Sequence, residues 1–132
     1  MTPEAELYLA KARRILDHAR TMLTVDLTED AGRAAYLAGY HAAEALLFER
    51  TGRVTKTHKG AHLAFARLVA LETGFDVSLR PFLARAYDLK AICDYELGPD
   101  AIIPREAAEA AVVEAARFVA HITDLVDGPS EA

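Results

Sequence analysis

The stretch AGRAAYLAGYHAAEALLFER, residues 31–50, constrains the fold of this chain more than any other, because its helical pattern has almost no polar face. A surface helix keeps one side polar, whereas a helix that is apolar nearly all round must be covered on every side. The segment is therefore either the central helix of a bundle or a helix covered by a second subunit, and its apolar surplus favours a dimer. Thr28 or Asp30 can cap its start, and Gly52 is suited to end it.

Four further segments carry apolar residues three and four positions apart, which is the pattern of a helix with one buried face. These segments span about 3–24, about 58–73, from a cap at Ser78 to a break at Gly98, and from Pro104 onward. With short connections and no strand pattern, the chain is predicted to be all-α, an antiparallel up-and-down bundle of about five helices. We expect one domain over residues 1–127 and a disordered tail over residues 128–132.

The composition points to a soluble cytoplasmic protein. Cys93 is the only cysteine, so no intrachain disulfide can form, which fits a reducing compartment. The first residues lack the pattern of a secretory signal. No stretch approaches the roughly 18 apolar residues of a membrane span, so we expect no membrane contact.

Charge is distributed unevenly along the chain. The net charge is −5, yet residues 50–67 contain five Lys and Arg and no acid, while residues 94–132 contain nine acids and two Arg. Such polarity is typical of a protein that binds an anion at one end, or whose opposite ends attract in an oligomer; an ordinary solvated surface is the alternative. Basic side chains at Arg53, Lys56 and Lys59 would form the anion-binding edge, for RNA phosphates, a nucleotide or an acidic partner.

Histidines and tyrosines recur at helical spacing. His58 and His62 lie four residues apart, which suits two metal ligands, but no further ligand completes a site and we expect no metal. Capping or hydrogen bonding at the start of the third helix is the expected role of His58. Tyr36 and Tyr40 share a face with His41 beside them; such a group is usually core or interface, whereas an exposed group could stack a base.

The segment KAICDY, residues 90–95, combines an amine, a carboxylate and a phenol within little more than one helical turn. Lys90 and Asp94 form an i, i+4 pair that stabilises a helix weakly. Together with Tyr95 they could instead bind a phosphate and position a proton donor. Cys93 continues the apolar stripe of this helix and is predicted to be core. No glycine-rich phosphate loop, nucleophile elbow or paired-carboxylate motif occurs.

Three motifs, in this order, resemble the HEPN domain family, and especially its small stand-alone UPF0332 branch. They are YLAGYHAA at 36–43, KTHKG at 56–60 and KAICDY at 90–95, and the resemblance extends over about residues 5–125. It implies a dimeric helical bundle connected with RNA or nucleotides. Many members are metal-independent ribonucleases that act as toxins, others pair with a nucleotidyltransferase antitoxin, and others bind nucleotides without cutting.

The catalytic motif of the family, an Arg followed four to six residues later by His, is altered here to Lys90 and Tyr95. Lysine keeps the charge but loses the bidentate fork, and tyrosine, with a pKa of about 10, is a poor base near neutral pH. The resemblance therefore implies a dimeric RNA- or nucleotide-binding member of a toxin–antitoxin-like pair, with a degenerate nuclease motif and no cofactor. The expected binding residues are Arg53, Lys56, Lys59, Tyr36, Tyr40, His41 and Asp94.

Two alternatives stay open. The protein could be an interaction module that holds a nucleotidyltransferase without binding nucleic acid. It could also be an active metal-independent endoribonuclease that uses Lys90 and Tyr95, or His58, as catalytic groups. The predicted homodimer seam includes the second helix and the end of the fourth.

Overall fold

The structure, a computed structural model, describes residues 1–127, except the side chains of residues 100 and 101. Over these residues it contains five α-helices and no strand, which confirms the predicted all-α bundle. The helices are α1 Pro3–Thr24, α2 Thr28–Thr51, α3 His58–Leu71, α4 Phe82–Tyr95 and α5 Arg105–Asp127. Short 3-10 helices, Val77–Leu79 and Gly98–Ala101, precede α4 and α5. The predicted tail at 128–132 lies outside the described residues.

Helix α2 is the central helix of the bundle and packs against each of the other four. Small side chains, mostly alanine, let its neighbours approach closely on every side. Its buried residues are Ala31, Gly32, Ala34, Ala35, Tyr36, Ala38, Gly39, Tyr40, Ala42, Ala43, Glu44, Ala45, Leu46 and Leu47. The apolar surplus is therefore covered within one chain, so this helix by itself gives no reason for a dimer, and the dimer stays a prediction.

An aromatic ring of α4 packs directly on the backbone of α2 at Gly39. A Cβ atom added to Gly39 would lie 2.2 Å from Cε2 of Phe82, so only glycine leaves room for that ring. Phe82 in turn packs on Phe118 of α5, with ring centroids 4.8 Å apart. These contacts fix α4 and α5 against the central helix.

Helix α3 is attached through a narrower face. It buries Ala61, Phe65 and Val69, and the ring of Phe65 lies 5.6 Å from that of Phe118 between centroids. Its cap is Thr57, whose hydroxyl accepts a hydrogen bond from the amide of Gly60 at 3.0 Å. His58 is therefore not the cap, because it is already the first residue of the helix. The hydrogen-bonding role that was the alternative prediction is confirmed, since its Nδ1 lies 2.7 Å from the Tyr36 hydroxyl.

The start of α4 also differs from the sequence-based expectation. Asp76, rather than Ser78, provides a capping carboxylate, and it accepts the Ser78 amide at 3.0 Å to start the 3-10 helix. Pro81 has no N–H to continue a helical ladder, so α4 begins only at Phe82. Cys93 is buried in a small cluster with Ile103 and Ala108, as its place on the apolar stripe predicted. Among the described helices, none combines the length and the apolarity needed to cross a membrane.

Candidate functional site

Several histidine and tyrosine side chains, which can bind ligands or transfer protons, meet where the first turns of α3 lie against α2 and α4. Tyr36 and Tyr40 come from α2, His58 and His62 from α3, and Tyr87 from α4. We call these five residues the histidine–tyrosine cluster. Residues four positions apart share a helix face. For this reason α2 contributes a pair of tyrosines to the cluster and α3 a pair of histidines.

A single hydroxyl holds both histidines. The Tyr36 hydroxyl lies 2.7 Å from Nδ1 of His58 and 2.8 Å from Nε2 of His62. The hydroxyl has one proton to donate, so when both contacts are hydrogen bonds, one ring nitrogen accepts and the other donates. Tyr36 is fully buried, and this network fastens the start of α3 to the central helix.

Ring packing completes the cluster. The His58 ring stacks on Tyr40 with centroids 4.3 Å apart. The Tyr87 ring meets Tyr36 and His62 edge-on, each at 5.3 Å between centroids. His58 is exposed to solvent while Tyr40 beneath it is buried. The cluster therefore presents one ordered imidazole at the surface and hides the aromatic rings that orient it.

The environment keeps these rings neutral near pH 7. Burial lowers the pKa of His58, and the nearby charge of Lys90 lowers it further. Burial, followed by the proximity of His58, also lowers the pKa of His62. Burial raises the pKa of the Tyr36 phenol well above its usual value. Positive charge at this site is consequently supplied by the ammonium group of Lys90 rather than by the imidazoles.

Lys90 connects the cluster to the end of α4. Its Nζ lies 5.8 Å from the centroid of the Tyr87 ring, and it forms an ion pair with Asp94. Asp94 also accepts a hydrogen bond from Nε of Arg33 at 2.6 Å, and Arg33 bonds Asp30 as well. The hydrogen bond from Lys90, and then that from Arg33, hold the pKa of Asp94 below its usual range. The Asp94 carboxylate is thus already paired with two side chains of the same chain, Lys90 and Arg33.

Tyr95 lies apart from this arrangement. Residues five positions apart are separated by about 140° around an α-helix, so Tyr95 and Lys90 point to different sides of α4. The Tyr95 side chain is 73% exposed. The structure therefore does not bring the altered motif pair together within one chain.

His41, the third histidine near the cluster, is engaged by a buried acid. Its Nδ1 lies 2.7 Å from Oε1 of Glu44, which is the one buried charged residue among those the structure describes. The Tyr40 ring packs edge-on against His41 at 5.6 Å between centroids. Burial and then the charge of Glu44 raise the pKa of Tyr40. This pair extends the cluster inward along α2.

The basic edge predicted from the sequence is exposed. Lys56 and Lys59 flank His58 at the start of α3, and Arg53 stands in the preceding loop. No described carboxylate forms an ion pair with any of the three. Arg53 lies away from the cluster, where it lines a groove with Arg67 and Leu71 of α3.

Two cluster residues were not identified as such from the sequence. The sequence indicates His62 only as a possible metal ligand, and it carries no signal for Tyr87. The i, i+4 spacing of the histidines did signal a shared face, but the buried phenol between them depends on how α3 docks onto α2. Over the described residues, no three His, Cys, Asp or Glu side chains gather as a metal site would require.

The chain is similar to known proteins in sequence and in fold. The family model of the HEPN domain matches residues 5–125. A UPF0332 protein from Archaeoglobus fulgidus is 34% identical over 93 residues, which cover 70% of this chain and 72% of the relative. The crystal structure of TT1696 from Thermus thermophilus superposes with a TM-score of 0.74 at 25% identity, over 94% of this chain and 99% of that one.

These matches confirm the resemblance that the three motifs suggested. The family match begins in α1 and ends in the last turn of α5, so it includes every helix that builds the histidine–tyrosine cluster. The archaeal relative is aligned over more than two thirds of both chains. On this basis the protein belongs to the HEPN domain family, in its UPF0332-like group.

Proposed function

We propose that this protein binds RNA or a nucleotide at the histidine–tyrosine cluster, as a homodimer and as one member of a toxin–antitoxin-like pair with a nucleotidyltransferase. The observation that carries the proposal is the placement of His58. Its ring is stacked on Tyr40 and bonded through Nδ1 to Tyr36, while its outer edge faces solvent. An oriented imidazole close to the ammonium group of Lys90 suits a phosphate oxygen.

The charge distribution supports an anionic ligand at this place. The chain as a whole is acidic, so a nucleic acid would be repelled from most of its surface. Residues 50–71 contain no Asp or Glu, and Lys56 and Lys59, both exposed, stand before and after His58 in this segment. Lys90 adds a further charge from α4. A phosphate backbone would meet these cations together with the ordered ring of His58.

Exposed apolar residues at the end of α4 support the dimer. Tyr95 is 73% exposed, Leu97 87% and Ile102 68%. These residues lie within eight positions of one another in the chain, and large apolar side chains exposed close together are typical of an interaction site. Pairing of two copies through these residues would place Tyr95, rather than Lys90, at the contact between them.

The binding proposal is tested by fluorescence anisotropy with a labelled RNA of about 12 nucleotides and, separately, labelled ATP. We expect binding that weakens as salt rises from about 50 to 200 mM, because phosphate contacts release counterions. His58→Ala and Lys90→Ala should each weaken it by about tenfold, or 1.4 kcal/mol. His18→Ala, an exposed histidine on α1, is the matched control. Absence of binding to both probes at low salt would refute the proposal.

A second function, metal-independent RNA cleavage, is favoured by one observation. The Tyr36 hydroxyl contacts two imidazoles, and a proton can be handed along such a chain when an exposed base removes one from a 2′-hydroxyl. The test is incubation of total RNA with the protein in excess chelator. Cleavage that is lost in His58→Ala but kept in His18→Ala would establish the enzyme. Intact RNA with measurable binding would leave the binding function alone.

The partner is tested by co-expression. A nucleotidyltransferase encoded next to this protein should co-purify with it, and should do so when RNA binding has been removed by His58→Ala. Co-purification without any RNA or nucleotide binding would favour the interaction-module alternative. Failure to co-purify would count against the pair while leaving the RNA-binding measurement intact.

A further inference from the structure

We propose that a groove beside α3 binds an acidic, aliphatic-rich segment of a partner protein. The groove lies between the end of α2, the loop that follows it and the outer face of α3, and has a volume of about 530 Å³. Its apolar walls are Leu47, Val54, Ala64, Leu68 and Leu71. Arg53 and Arg67 also line it. We call this feature the α3 groove.

The α3 groove has exposed apolar surface at its rim. Leu71 is 86% exposed, and Leu63, on the same side of α3, is 51% exposed. Residues 63, 67 and 71 are spaced four apart, so two leucines and Arg67 form one stripe along the outside of the helix. Taking such apolar surface out of water is favourable in proportion to the area covered. A partner with aliphatic side chains would gain this free energy by filling the groove.

The two arginines that line the α3 groove favour a partner with acidic side chains. Arg50, at the end of α2, is matched within the chain, since it donates to Glu72 at 2.7 Å and to the Leu125 carbonyl at 3.2 Å. Arg53 and Arg67 form no ion pair with any described residue, and no acid occurs between positions 50 and 71. Carboxylates placed at the edges of an apolar segment would meet both guanidinium groups.

The chemistry of the walls favours protein over RNA as the occupant. Bases bind by stacking on aromatic rings, and none of the residues that line the α3 groove is aromatic. RNA carries no aliphatic side chain that would cover Leu68 or Leu71. A peptide segment that combines Leu or Ile with flanking Asp or Glu matches both the apolar walls and the two arginines.

The α3 groove is separate from the histidine–tyrosine cluster. His62 and Arg67, five residues apart, lie about 140° apart around α3. One side of the helix therefore bears the cluster and another bears the groove. The inference does not depend on RNA binding, and it assigns Arg53 to protein contact rather than to the phosphate edge.

The test is to pan a display library of random peptides of about 12 residues against the full chain, and then to measure the best synthetic peptide by anisotropy. Peptides that combine aliphatic residues with at least two acids should be enriched. Leu71→Asp and Arg67→Glu, both on the exposed side of α3, should each weaken binding by about tenfold or more. Leu7→Asp, a leucine on α1 that is 71% exposed, is the matched control and should bind like the unaltered chain.

Two further arms make the outcome decisive. Replacing the acids of the peptide by lysine should abolish binding to the unaltered chain and restore it partly to Arg67→Glu. His58→Ala should leave peptide affinity unchanged, which separates this site from the proposed RNA site. The inference is overturned if the enriched peptides are basic or polar, if Leu71→Asp binds them equally well, or if the labelled RNA displaces them.

Discussion

Helix α2 buries fourteen of its 24 residues, whereas α3 buries three of its fourteen. Helix α2 is covered by all four other helices. Helix α3 is held by one narrow apolar face and by the two hydrogen bonds of Tyr36. This difference shows how the molecule separates the need for a stable core from the need for an accessible binding surface. The central helix carries the stability of the bundle, and α3 is left with two sides on which it can present histidines, lysines, arginines and leucines to other molecules.

The sharpest test of this comparison is a pair of leucine truncations. Leu46→Ala in α2 removes a side chain that is fully buried, and should lower the free energy of unfolding by about 2–5 kcal/mol. Leu63→Ala in α3, where the side chain is 51% exposed, should change it by no more than about 0.5 kcal/mol. Urea denaturation of both variants gives the two values. Similar losses would contradict the division between the helices.

A second pair of substitutions tests how tightly α2 is packed along its length. In Gly39→Ala the new methyl group would meet the fully buried Phe82 ring, and the overpacking should cost about 1–3 kcal/mol of unfolding free energy. In Gly32→Ala the nearest atom is the end of the Ile103 side chain at 3.2 Å, which can shift. The helix propensity gained, up to about 1 kcal/mol, should leave Gly32→Ala close to neutral. Equal effects in thermal melts would be evidence against the close approach of α4.

Removing one hydroxyl tests the attachment of α3. Tyr36→Phe leaves the facing nitrogens of His58 and His62 without this partner, and should cost about 1 kcal/mol. The loss should be local, so amide hydrogen exchange in the first turns of α3 should accelerate more than exchange in α2. Tyr87→Phe is the control, because only its ring faces the cluster. Unchanged protection of α3 in Tyr36→Phe would show that packing alone holds the helix.

The smallest expected effect is on pH dependence. The pKa of His62 is lowered in the folded protein, so between that value and about 6.5 the unfolded chain binds more protons. Stability is therefore expected to fall as pH drops below about 6.5. His62→Gln keeps an amide that can bond Tyr36 but removes the titration, and should make this fall shallower. Urea midpoints at pH 7.5 and 5.5 measure it, with His18→Gln as control; an unchanged slope would contradict the role of His62.

Much of the fold could be predicted from the sequence because helical periodicity and capping are local. The limits of α1, predicted at about residues 3 and 24 from its regular apolar stripe, match the structure. The start of α4 was missed because two acceptors compete there, and Asp76 takes the Ser78 amide. Periodicity does not tell whether the apolar residues of α2 are covered by helices of the same chain or by a second subunit. That depends on tertiary packing.

The candidate site was predictable only in part. Tyr36, Tyr40 and His58 were named from the sequence, and the structure places them in contact. Their joining to His62 and Tyr87 depends on the docking of α3 and α4 against α2, which no spacing along one helix reveals. Lys90 reaches the cluster and Tyr95 does not, because positions 90 and 95 face different sides of α4. The catalytic and binding roles of these residues stay predictions.

The hydroxyl shared by two imidazoles has a consequence for recognition. When Nδ1 of His58 accepts the hydrogen bond from the Tyr36 hydroxyl, the neutral ring carries its own hydrogen on Nε2, where it can donate to a ligand. When Nε2 of His62 accepts the hydrogen bond from Tyr36 instead, Nδ1 of His58 donates to the Tyr36 oxygen and Nε2 of His58 offers a lone pair. The His58 ring can thus donate a hydrogen bond to an oxygen of a ligand or accept one from an amino group without changing position. Only the hydrogen atoms move between the two states.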